Sequence, residues 1–246
     1  MQCLSGLNAT VNLQEHEIVL VDDCSTEFQA DKFFGPPIKV LRNSTNLGFS
    51  STCNRGALEA GNEILIFLNS DTIPFPGWLE PILRLLENEK VGIVGPKLIF
   101  PTEPNSPQVL QSCGGSFDVT KSPYHRYLGW DANDWRINQT EKVSWTTGAV
   151  LAIRKSDFMA VGGFDPAYIR GYFEDVDLCQ KIKESGKEIW YCHEACLVHS
   201  VGKSTKTESR EQVLELNRIF MQNSLLFHER WDAKIKPDTF VKMVPF

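Results

Sequence analysis

"EILIFLNSDT", residues 63–72, sets five apolar residues, Ile64 to Leu68, directly before Asn69, Ser70 and Asp71. The apolar run reads as a wholly buried strand, so Asp71 is carried just past a strand end. Working outward, "EIVLV" (17–21), "IKVL" (38–41) and "VGIV" (91–94) repeat the same short apolar signature. The segments between them hold helices: "SSTCNRGALEAG" ends in a glycine stop, and "GWLEPILRLLEN" spaces Trp78, Leu79, Ile82, Leu85 and Leu86 on one face. That rhythm predicts an α/β fold whose central sheet is mostly parallel and buried on both faces.

From Pro101 to Lys142 the pattern gives way to Pro, Gly, Ser and aromatic residues, an irregular stretch of the kind that serves a site or a lid. "WTTGAVLAIR" (145–154) resumes as a strand, followed by a short helix near Lys155 to Val161 and the turn "GGFDPAY". A helix from about Phe173 to Ser185, a strand "EIWYCHEACLVHS" (188–200) and a final helix from about Glu208 to Arg230 complete the pattern.

The 246 residues carry 25 Lys plus Arg against 31 Asp plus Glu, a net charge of -6 with no basic stripe, so nucleic acid is not an expected partner. Seven scattered cysteines suit reduced thiols and a cytosolic setting better than a disulfide framework. No segment reaches the ~18 apolar residues that span a bilayer, and the start lacks the pattern of a signal peptide.

In an open parallel sheet, ligands bind beyond the carboxyl ends of the strands. Asp22 and Asp23 end one strand, and Asn69 and Asp71 another, so these groups are expected at one edge; each is equally a loop acid or a helix cap. In "YFEDVDLCQKI" the helical spacing puts Asp175 on the stripe of Leu178, Cys179 and Ile182, with Glu174 and Asp177 toward the flanks. His199 ends its strand and gains weight only beside Asp71. Cys192, His193, Cys196 and His199 contain zinc-type ligands, but strand alternation would put the two cysteines on one face and the two histidines on the other.

"VDDCST", "NLGFSSTCNRG", "FLNSDTIPFPGWL", "VGIVGPKLIF", "SCGGSFD", "TTGAVLAIRKSDFMAVGGFDPAY", "FEDVDLCQKI" and "ACLVHSVGKS" resemble, in order, the landmarks of family 2 inverting glycosyltransferases. That family has the GT-A nucleotide-diphospho-sugar transferase fold, and the likeness is to its bacterial rhamnosyltransferase-like branch. It covers about residues 16 to 230. The resemblance implies one domain over residues 1–246, with a nucleotide-binding half to residue 100, an acceptor and catalytic half over 101–230, and a tail over 231–246.

The implied reaction transfers a sugar from a nucleotide-diphosphate donor to a glycan or lipid-linked acceptor hydroxyl, with inversion and with Mg²⁺ or Mn²⁺, in polysaccharide or glycolipid assembly. The implied place is cytoplasmic, extending to peripheral association with the inner face of the membrane. By the resemblance, Asp22 contacts the nucleoside; Asn46, Gly48, Asn54 and Gly56 lie near the donor, where a helix start would suit diphosphate; Asp71 is the last acid of the D-x-D metal motif, completed by His199. Asp175 is the general base, and Glu174 beside it belongs with the substrate-binding residues. Position 69 departs from the motif: Asn69 stands where an acid is common, leaving it to hydrogen-bond or bind ribose.

In the aromatic loop "YHRYLGWDANDW", Tyr127, Trp130 or Trp135 either stacks on an acceptor sugar or pins the loop to the core. Family members also begin with a strand that helps seat the base, whereas this chain starts within what resembles the following helix. The sheet is therefore expected to lack a strand, as in a fragment of a longer product. The alternative is a non-catalytic nucleotide-sugar or glycan-binding domain.

Overall fold

The computed structural model describes residues 2–26, 38–103, 106–200 and 209–239. Chain order is α1 (Gln2–Thr10), β1 (Ile18–Asp22), β2 (Ile38–Arg42), α2 (Gly48–Glu59), β3 (Ile64–Leu68), β4 (Thr72–Pro74), α3 (Leu79–Leu86) and β5 (Val91–Ile99). Four short strands follow, β6 (Leu110–Ser112), β7 (Gly115–Phe117), β8 (Pro123–His125) and β9 (Glu141–Lys142). Then come β10 (Val150–Arg154), α4 (Lys155–Ala160), α5 (Glu174–Glu184), β11 (Glu188–His199) and α6 (Arg210–Trp231).

The main sheet has the order β3-β10-β5-β11-β4, with β6 on β5 and β9 on β11. Helices cover both faces. Leu65, Phe67, Ile93, Leu151 and Ile153 pack with Phe158, Leu178, Ile182 and Phe227 from α4, α5 and α6, whereas Val94, Val150 and Ala152 pack with Trp78, Leu79 and Ile82 beside α1. Each fully buried aliphatic side chain here contributes about 1.5–3 kcal/mol relative to exposure.

The sheet is more mixed than the mostly parallel one expected. β3, β5 and β11 run the same way, but β10 enters antiparallel between β3 and β5, and β4 is antiparallel to β11, so the sheet is mixed. The reversal has a consequence: Val150 pairs with Leu68, so the amino end of β10 lies at the carboxyl end of β3. β5 and β10 are buried on both faces as expected, whereas β1, β2 and β3 are only partly covered.

The reason is that, among the described residues, β1 pairs only with β2, in a separate two-stranded parallel sheet, and β3 only with β10. The two strands line an apolar groove of about 480 Å³ together with Leu7, Val11 and Trp78. The stretch from Pro101 to Lys142 is also more ordered than anticipated: β7 and β8 pair with each other, and β6 and β9 join the main sheet.

Backbone demand at the end of the turn before α5 is met by α6. Arg170, Gly171, Tyr172 and Phe173 all have positive φ, between 62° and 137°, a run that costs energy at its three non-glycine members. Asn223, 1% exposed, donates to the carbonyls of Ile169, Gly171 and Tyr172 (2.8–3.2 Å) and accepts from the Ile169 amide (3.3 Å). Replacement Asn223→Ala leaves three carbonyls without this donor and is expected to cost about 1–3 kcal/mol in urea denaturation. An unchanged midpoint would show that the strained turn holds itself.

Candidate functional site

The loop from Asn69 to Asp71 is tied down on both sides. The Thr72 amide and hydroxyl both donate to the Asn69 carbonyl, at 3.1 and 2.7 Å. The Ser200 amide donates to the Asp71 carbonyl at 2.9 Å, and His199 stands opposite Thr72 in the β4–β11 ladder. Asp71 and His199 are thereby forced together, with Oδ1 3.3 Å from Nε2 and side chains 15% and 13% exposed.

The other side of His199 is held by a residue the sequence reading did not single out. Gln111 of β6 places Oε1 2.6 Å from His199 Nδ1, and its Nε2 donates to the His199 carbonyl at 3.0 Å. A buried glutamine before "SCGG" was the available signal, and it is a weak one. Nearby, burial holds His125 down at about 4, so His125 is neutral at physiological pH.

The antiparallel β10 brings the third group. The Asn69 amide donates to the Ala149 carbonyl at 2.9 Å, and the neighbouring Gly148 amide donates to Asp175 Oδ2 at 2.8 Å. One dipeptide therefore joins the Asp71 loop to the start of α5. Gly148 has little room for a side chain: a Cβ there would lie 3.3 Å from both the Asp175 Cβ and the Phe49 ring.

The carboxyl groups at the start of α5 show burial overcoming the helix dipole. The Val176 and Gly148 amides pull the Asp175 pKa down, yet burial is the larger effect and raises it. Glu174 is 6% exposed, not on an open flank, and its Oε2 has no hydrogen-bond partner among the described residues. Burial first, and the Asp175 charge second, push its carboxyl well above the usual range. Asp177 is likewise fully buried, because α6 and the preceding turn cover it with Trp231 Nε1 at 2.8 Å and the Tyr168 hydroxyl at 3.1 Å.

The remaining sequence candidates are engaged in holding the fold. Asp22 accepts the Ser25 amide with both oxygens at 3.2 Å and faces Arg42. Asp23 accepts the amides of Leu47 and Gly48 at 2.8 and 2.9 Å, which ties the start of α2 to the end of β1. Asn46 leans on the Asp23 carbonyl at 3.4 Å. Asn54 donates to the Phe164 carbonyl (2.7 Å) and accepts its amide (3.0 Å), acting as a bracket between α2 and the "GGF" turn.

Trp130 packs at 5.1 Å from Tyr127 with Arg136 over its face at 4.5 Å, pinned to the core, while Trp135 is 70% exposed. The four zinc-type residues of β11 do not converge. A register shift between Cys192 and Cys196 breaks the alternation, so these cysteines pack into different clusters and His193 meets the Thr140 hydroxyl at 2.9 Å. All seven cysteines are unpaired.

The pair Asp71 and His199 fits a divalent cation. A carboxylate oxygen and an imidazole nitrogen on one ion at about 2.1 Å each, at right angles, lie ~3 Å apart, close to the separation seen. Among the described residues no further His, Cys, Asp or Glu completes a larger cluster, so remaining positions would fall to ligand oxygens and water.

The profile described as glycosyl transferase family 2 matches residues 2–148, more than half of the chain. The chain belongs to glycosyltransferase family 2. A second profile, the N-terminal domain of galactosyltransferase, matches residues 124–196 of this family 2 chain. The pre-mycofactocin glycosyltransferase of Mycobacterium tuberculosis is 29% identical over 199 residues, covering 79% of this chain and 40% of that protein. The N-acetylglucosaminyl-diphospho-decaprenol L-rhamnosyltransferase of the same organism is 26% identical over 216 residues, covering 76% of this chain and 67% of that protein.

The crystal structure of GalNAc-T7 with UDP, GalNAc and Mn²⁺ superposes with a TM-score of 0.67 at 16% identity, covering 96% of this chain and 48% of that one. The fold is thus GT-A. The chain spans less than half the length of two of these three proteins.

The raised Glu174 carboxyl has a measurable sign. Between the ordinary value near 4.3 and its higher folded value, the folded chain binds more protons than the unfolded one, so stability falls as pH rises through that window. Glu174→Gln removes this loss, and urea midpoints measured from pH 5 to 8 are expected to fall less steeply than in the wild type. A slope as steep as the wild type's would remove the buried charge from consideration.

Proposed function

We propose that this chain transfers a sugar from a nucleotide-diphosphate donor to an acceptor hydroxyl with inversion. The observation that carries the reading is the Gly148–Ala149 bridge, which sets the Asp175 carboxylate beside the loop that ends in Asp71. Family membership supports sugar transfer, and the Mn²⁺ and UDP of the GalNAc-T7 structure support the class of cofactor and donor.

Asp71 and His199 would hold Mg²⁺ or Mn²⁺; when bound, the ion offsets negative charge developing on the departing diphosphate. The Asn69 carboxamide, which makes no hydrogen bond among the described residues, adds a neutral donor and acceptor at the same loop. Asp175 takes the proton of the acceptor hydroxyl as it attacks the anomeric carbon from the face opposite the diphosphate. A base needs proton affinity closer to neutrality than an ordinary aspartate has, and burial supplies that direction. The amide of Gly148 holds Oδ2 in place, so the carboxylate is oriented before the acceptor arrives.

The test is Mn²⁺-dependent release of nucleoside diphosphate and product from a panel of sugar nucleotides, read by mass spectrometry. Asp71→Ala and Asp175→Asn are expected to lower turnover by about 10²–10⁴-fold, the range of a lost catalytic group, and Asn69→Ala by much less. Equal, mild losses from all three would contradict the assignment. Tight donor binding without turnover by the wild type would instead favour a binding module.

A further inference from the structure

We propose that Gln111 is a positioning residue that sets the tautomer of His199 and so presents Nε2 as a lone pair toward the cation; the proposal rests on the reading of Asp71 and His199 as ligands. The argument is one of proton counting. The Gln111 amide nitrogen must face the His199 carbonyl, because an amide oxygen placed there would oppose a second acceptor. Its oxygen then faces Nδ1 at 2.6 Å, a separation that requires a proton between the two atoms.

An amide oxygen carries no proton, so Nδ1 carries it. In the neutral imidazole Nε2 is then bare, and it points at Asp71 Oδ1 from 3.3 Å. With the imidazole neutral, two acceptors then face each other, an arrangement that a divalent cation between them satisfies. Gln111 is 7% exposed, and both of its hydrogen bonds go to the one histidine, backbone and ring. A glutamine serving only to fill β6 has no need of the second contact. The arrangement follows the general rule that a ligating histidine is oriented through its other ring nitrogen.

The decisive measurement is the ¹⁵N spectrum of the His199 imidazole in the full chain, taken at alkaline pH without metal, beside Mn²⁺ affinity by electron paramagnetic resonance with UDP present. The wild type is expected to show a protonated Nδ1 and an unprotonated Nε2. Gln111→Leu is expected to shift the population toward protonated Nε2 and to weaken Mn²⁺ binding about 10–100-fold. Gln111→Glu keeps the acceptor for Nδ1 and is expected to retain both the tautomer and affinity well above that of Gln111→Leu.

A wild-type spectrum with the proton on Nε2 would overturn the proposal even if no variant folds. So would a folded Gln111→Leu with unchanged Mn²⁺ affinity, whatever its tautomer. Asp71→Asn separates the two layers: if it binds Mn²⁺ as tightly as the wild type, the cation reading itself falls, whereas the metal-free tautomer reports on Gln111 alone.

Discussion

The dipeptide Gly148–Ala149 is the joint on which the site depends. Its carbonyl side holds Asn69 and its amide side holds Asp175, two groups more than a hundred residues apart in the chain. That joint exists because β10 runs against β3 and β5, which puts its first residue opposite Leu68. A parallel strand in the same place would have brought Arg154 to this edge and left the start of α5 without an anchor. Glycine at 148 keeps the approach close, since a Cβ would already touch Asp175 and Phe49.

The electrostatics follow from how deeply that joint is buried. An acid at a helix start ordinarily loses pKa to the dipole and the exposed amides. Here two backbone amides do act on Asp175 in that direction, but removal from water is the larger effect for both Glu174 and Asp175. For Glu174 the neighbouring Asp175 charge adds to burial in the same direction. The cost of the arrangement is borne by packing elsewhere, including the Asn223 grip on the strained turn and the Trp231 and Tyr168 hydrogen bonds to Asp177.

Much of this was legible in the sequence because short apolar runs and helical spacing are local signals. The strand ending in Leu68, the inward stripe of Asp175, Leu178, Cys179 and Ile182, and His199 at a strand end all follow from periodicity. Strand direction does not: nothing in "GAVLAIR" distinguishes a parallel from an antiparallel neighbour, so the sheet came out mixed. Bulges are equally silent, and the register shift between Cys192 and Cys196 moved those side chains to opposite faces. The bracket that Asn54 makes with Phe164, 110 residues away, and the grip of Asp23 on the start of α2 are long-range contacts that residue type alone does not reveal. Gln111 was missed for the same reason, its partner lying 88 residues away.

Placing a heavy ion tests the arrangement most directly. In a crystal soaked with Mn²⁺ and UDP, anomalous scattering is expected to show one strong manganese peak between Asp71 Oδ1 and His199 Nε2, with the diphosphate beside it and the Asp175 carboxylate lining the same cleft. A manganese bound to UDP away from both side chains, or an Asp175 carboxylate walled off from the nucleotide, would contradict it.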